Sequence, residues 1–113
     1  MKAKIIGVII GIVFFIGAIA IAVQNQGAKD ITLDGGKKGE VNFPHHLHQD
    51  TIGDCNACHD LFPKTPGIIN DLKEQKKLKK KQVMKKSCIT CHKAKKKAGE
   101  KAGPIRCSQC HIK

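Results

Sequence analysis

All six cysteines and half of the six histidines stand in one repeated pattern: Cys55-Asn56-Ala57-Cys58-His59, Cys88-Ile89-Thr90-Cys91-His92 and Cys107-Ser108-Gln109-Cys110-His111. Two thiols about one helical turn apart can bond the two vinyl groups on one edge of a porphyrin. The histidine that follows then falls beneath the iron as its proximal ligand. Three such runs imply three covalently attached haem c groups, with Cys55, Cys58, Cys88, Cys91, Cys107 and Cys110 as attachment points and His59, His92 and His111 as iron ligands. Paired Cys-x-x-Cys also occurs in zinc ribbons, but a thiolate zinc site needs no histidine directly after every pair. A disulfide framework fits less well still, because cysteines with only two residues between them close no long loop.

An iron that carries electrons, rather than binding substrate, needs a second axial ligand. The histidines left over are His45, His46 and His48. Three of them for three irons would permit three bis-histidine haems. Helical spacing makes that awkward, because His45 and His48 share a face while His46 points elsewhere. Nothing resembles a catalytic triad, a paired-carboxylate site or a phosphate loop, and no thiol is left over as a nucleophile. The expectation is an electron carrier, not an enzyme, with no specific small-molecule substrate. The rival readings are a membrane-anchored quinol dehydrogenase or metal-reductase subunit, which would need an open iron or a quinone pocket, and, remotely, a non-redox zinc module.

The elements that must position these groups are sparse. The chain has 113 residues, 4% aromatic, with no Trp and no Tyr. A domain this small is marginal without a staple or cofactor, and flat apolar porphyrins would fill the place of the missing core. Ile5 to Val23 is a run of nineteen uncharged residues, about 28 Å long as a helix and close to the thickness of a bilayer core. Residues 1–23 are read as a transmembrane anchor in preference to a signal peptide cleaved at Ala18-Ile19-Ala20 or Ala20-Ile21-Ala22. Either way Lys2 and Lys4 stay cytoplasmic and the rest is exported. Residues 24–30 read as a linker and 31–113 as the haem domain.

Within that domain, Ile31-Thr32-Leu33 and Val41-Asn42-Phe43 alternate apolar and polar residues around a Gly- and Lys-rich loop, which predicts a β-hairpin. Pro44 leads into a short helix beginning at His45. Asn70 is placed as the N-cap of a helix reaching about Lys86. Lys93 to Lys101 reads as a connector. The formal net charge of +12 calls for an acidic partner of some kind. The lysines at 73, 76, 77, 79, 80, 81, 85 and 86 lack the aromatic platforms of single-strand binders, so nucleic acid is not expected. A docking face for acidic redox proteins is the functional reading of that run, and a solvated surface is the plain one.

The stretch from Ile31, ending in Phe43-Pro44-His45-His46-Leu47-His48 and followed by three Cys-x-x-Cys-His runs, resembles the triheme cytochromes of the c7 type. These are relatives of tetrahaem cytochrome c3 in the periplasm of metal- and sulfur-reducing bacteria. The resemblance covers about Asp30 to Lys113. It implies a small c3/c7-like fold, with a short hairpin and a few short helices around three haems, here preceded by one transmembrane helix. It also implies periplasmic electron transfer between inner-membrane quinol-oxidising complexes and other cytochromes. By the same resemblance His45 ligates the haem of Cys55, Cys58 and His59, and His48 ligates the haem of Cys88, Cys91 and His92. Where the family has its third distal histidine this chain has Met84, which implies Met84 as sixth ligand of the haem held by Cys107, Cys110 and His111. His46 then has no ligand role.

Overall fold

The structure is a computed structural model and describes residues 25–113. The alternating segments pair as expected. Strand β1 (Ile31–Leu33) lies antiparallel to β2 (Glu40–Phe43), with Ile31 opposite Phe43 and Leu33 opposite Val41. A single 3-10 turn, Gly36–Lys38, joins them. A third strand, β3 (His111–Ile112), adds to the free side of β2, with His111 opposite Val41, so the strand order is β1-β2-β3. The sheet therefore brings the last haem-binding motif back to the hairpin.

Helix α1 (His45–Ile52) starts directly after Pro44 and ends on Gly53, whose φ of 71° is a left-handed cap. Helix α2 (Asn56–His59) is one turn made by the first Cys-x-x-Cys-His run. The single helix expected from Asn70 to Lys86 is two pieces. Helix α3 spans Ile68–Glu74 and closes in a Schellman motif, in which Lys77 N–H bonds the Leu72 carbonyl and Lys76 N–H bonds that of Lys73. Lys76 occupies the left-handed position, φ 58°, that usually goes to glycine. After a turn carrying Leu78, the chain forms one π-helical turn, Met84–Cys88, and runs on into helix α4 (Ile89–Lys97). The lysines from 93 to 97, read as connector, are therefore helical. Helix α5 (Cys107–Cys110) leads straight into β3.

Almost nothing is buried. Leu78, 5% exposed, is the one buried side chain among the described residues. Sheet and helices thus leave the middle of the domain without an apolar filling of their own. No helix of the described residues is long and apolar enough to cross a membrane, and the anchor expected at residues 1–23 lies outside them.

Candidate functional site

Each Cys-x-x-Cys-His run adopts the local form its chemistry needs. Cys55 precedes α2, with Cys58 and His59 inside it; Cys88 precedes α4, with Cys91 and His92 inside it. Cys107 and Cys110 bound α5, and His111 opens β3. Among the described residues no two of the six cysteines are joined in a disulfide. The first two runs lie close together. The Ser87 hydroxyl donates to Cys58 Sγ at 3.5 Å. Burial, and then the neighbouring Cys58, push the Cys88 thiol above its ordinary pKa. Burial, with Cys107 beside it, does the same to Cys110.

The histidines meet in pairs across the domain. His45 of α1 faces His59 with ring centres 6.3 Å apart, and His48 faces His92 at 6.1 Å. Two imidazoles on one metal, each bonded at about 2 Å, put their ring centres about 6 Å apart. Helix α1 therefore presents both rings from one face, because its i and i+3 positions point the same way. Among the described residues, no imidazole stands opposite His111 in this manner. Met84 is half-buried at the start of the π-helical turn that ends on Cys88.

Ring orientation follows one rule for all five of these histidines. The Nδ1–H groups of His45, His48, His59, His92 and His111 donate to the carbonyls of Ala28 (3.0 Å), Pro44 (2.8 Å), Phe62 (3.2 Å), Pro104 (2.6 Å) and Gly39 (3.0 Å). Such a bond fixes the tautomer and leaves Nε2 as the free donor atom for a metal. His46 is turned the other way, its Nε2–H donating to the Gly27 carbonyl at 3.0 Å.

The sequence reading had missed these carbonyls, and it had missed the packing around the rings. Phe43 lies 4.3 Å from the His48 ring and 6.0 Å from His45, and Phe62 stands edge-on to His59 at 5.2 Å. Phe43-Pro44 was visible as a local signal, but the rings that Phe43 packs against were not. Glycine is required beside the His92 and His111 rings. A Cβ on Gly103 would come within 2.5 Å of His92 Cε1, and one on Gly35 would collide with the His111 ring.

These residues fit haem on four counts: almost no apolar core of the chain's own, thiol pairs on single helical turns, imidazoles paired at metal-bridging distance, and Nε2 atoms left free. They do not fit a zinc ribbon. Among the described residues no three His, Cys, Asp or Glu side chains converge on a common point.

Charge is distributed unevenly over this frame. From Asn25 to Glu74 eight carboxylates outnumber five lysines, whereas from Gln75 to Gly99 there are eleven lysines and no carboxylate. Of those eleven, Lys95 is half-buried and paired with Glu100 at 2.8 Å, and the other ten are exposed.

Comparison with known proteins agrees with the site. Residues 41–112 match the family described as cytochrome c7 and related cytochrome c. Cytochrome c3 of Desulfuromonas acetoxidans is 37% identical over 84 residues, covering 74% of this chain and 98% of its own. Cytochrome c7 of Geobacter metallireducens is 38% identical over 77 residues, covering 68% of this chain and 69% of its own. The solution structure of the triheme cytochrome PpcA of Geobacter sulfurreducens superposes with a TM-score of 0.53 at 36% identity, covering 76% of this chain and all of that one. A structure of PpcB, a cytochrome c7 of the same organism, gives 0.51 at 36% identity with the same coverage. The site thus defines a small multihaem c-type cytochrome. The chain belongs to the cytochrome c7 family, carries three c-type haems like its triheme relatives, and is an electron carrier that works with redox-partner proteins.

Proposed function

We propose that this protein relays electrons in the periplasm, from quinol-oxidising complexes of the inner membrane to other cytochromes or terminal reductases. The observation that carries this reading is the pairing of His45 with His59 and of His48 with His92, each ring tied back by Nδ1 so that both faces of a metal are filled. The haems supply a ferric–ferrous couple. The chain's residues hold that couple closed to substrate. His45 and His59 ligate the haem attached at Cys55 and Cys58. His48 and His92 ligate the haem attached at Cys88 and Cys91. His111 and Met84 ligate the haem attached at Cys107 and Cys110. The involvement of His46 Nε2 with Gly27 supports Met84 over His46 as the last ligand. Six ligands for three irons leave no open coordination site, which argues against a quinol dehydrogenase or a substrate-binding reductase.

The lysines from 76 to 97 provide a face for acidic partners, raising association rates at low salt. Residues 5–23 keep the haem domain at the inner membrane, a reading supported by the uncharged run itself. The test is to purify the exported protein, measure its intact mass and titrate it potentiometrically. The expected result is a haem stain in the salt-washed membrane fraction, a polypeptide that retains residue 1, three added haem masses and three one-electron steps with all irons low-spin. A high-spin iron that binds carbon monoxide or substrate would overturn the relay reading. A soluble form beginning near Val23 would overturn the anchor.

A further inference from the structure

The residues that lead from the N-terminal apolar run into the hairpin do not hang free. They run antiparallel to α1 and bond to it at nearly every step. Asn25 Nδ2–H donates to Asp50 at 2.9 Å. Gln26 and Gln49 exchange two bonds, Gln26 N–H to the Gln49 side-chain oxygen at 3.2 Å and Gln49 Nε2–H to the Gln26 carbonyl at 2.9 Å. The Gly27 carbonyl accepts from His46, the Ala28 carbonyl from His45, and the Lys29 carbonyl from His46 N–H at 3.1 Å. Gly27 has φ 74°, and a Cβ there would lie 3.5 Å from the His45 ring. This strap lies outside residues 41–112, the stretch that matches the family.

Its importance comes from which ring it holds. His48, His59, His92 and His111 take their Nδ1 acceptors from Pro44, Phe62, Pro104 and Gly39, all within the body of the domain. His45 alone takes its acceptor from the strap. A carbonyl on Nδ1–H fixes the orientation of a ligating imidazole and raises its basicity. The more basic ring favours ferric over ferrous iron.

We propose that residues 25–29 are a positioning element for His45, so that the seating of the N-terminal segment sets the reduction potential of the first haem and of no other. The inference rests on the reading above that His45 is an axial ligand. His46 is the clasp: its ring and its backbone N–H grip the strap on either side of Ala28 while His45 binds Ala28 itself. Gln49 is the second clasp.

The experiment uses the full-length, haem-loaded protein with His46→Ala, Gln49→Ala and the double substitution, following haem-methyl NMR signals through a redox titration. Loosening the strap should raise the ferrous-to-ferric ratio of the first haem at a fixed potential by up to about tenfold. The double variant should move furthest and the other two haems should stay in place. His46→Gln, which keeps a donor for Gly27, should fall back towards wild type. Equal shifts in all three haems, or no shift in the double variant, would overturn the proposal. A high-spin haem in His46→Ala but not in Gln49→Ala would make His46 a ligand. That result would overturn the ligand assignment itself and, with it, the clasp role of His46.

Discussion

At the scale of single residues the decisive position is Met84. A thioether is a weaker donor than imidazole and stabilises ferrous iron, so a haem ligated by His111 and Met84 should have the highest potential of the three. The oxidised protein should then show a weak long-wavelength thioether-to-iron band. Met84→Ala should abolish that band while the other two haems stay low-spin, and Met84→His should keep six-coordination and lower the potential of this haem alone. If wild type shows no such band and His46→Ala perturbs the third haem, the assignment goes to His46. The three-haem count was legible in the sequence because the Cys-x-x-Cys-His signal is local, five consecutive residues making one complete run. The hydrogen-bond acceptors were not legible. The Gly39 carbonyl that holds His111 is 72 residues away along the chain, and a backbone carbonyl leaves no mark in residue type.

At the scale of elements, legibility depended on whether a residue type announced the turn. The hairpin was readable because alternation and a glycine-rich loop agree on it. Strand β3 was not, because it is two residues long and begins with the histidine that closes the third Cys-x-x-Cys-His run. The break after Glu74 was hidden because a lysine sits where glycine ordinarily closes a Schellman motif. A left-handed conformation costs a residue with a Cβ about 1–2 kcal/mol. Lys76→Gly recovers part of that and loses some to the greater freedom of the unfolded chain. The net expectation is a stabilisation of about 0.5–1 kcal/mol, read as a higher guanidinium midpoint with an unchanged slope. An unchanged or lower midpoint would mean that the side-chain contacts of Lys76 outweigh its backbone strain. The π-helical turn at Met84–Cys88 was also beyond sequence reading. Such turns are often found at functional sites, and this one joins a proposed ligand to the start of an attachment motif.

At the scale of the whole molecule, the polypeptide does not build its own interior. With Leu78 alone buried among the described residues, apolar burial cannot offset a conformational entropy cost of about 1–2 kcal/mol per residue. The chain made without haem attachment should therefore be largely unfolded. Its far-UV circular dichroism should lack helix, its amide NMR signals should be poorly dispersed, and heating should give no cooperative transition. A sharp unfolding transition in the haem-free chain would show that a protein core was overlooked. The scarcity of aromatic residues in so short a chain already pointed to this dependence, so the need for a cofactor core was readable even where the elements around it were not.

The division between a carboxylate-bearing front half and a lysine-only stretch from Gln75 to Gly99 also makes the molecule an electric dipole. On any sheet of negative charge, such as a layer of lipid headgroups or a carboxylate-coated electrode, the molecules would settle the same way up, lysine stretch downward. A film of this protein would then be an oriented layer.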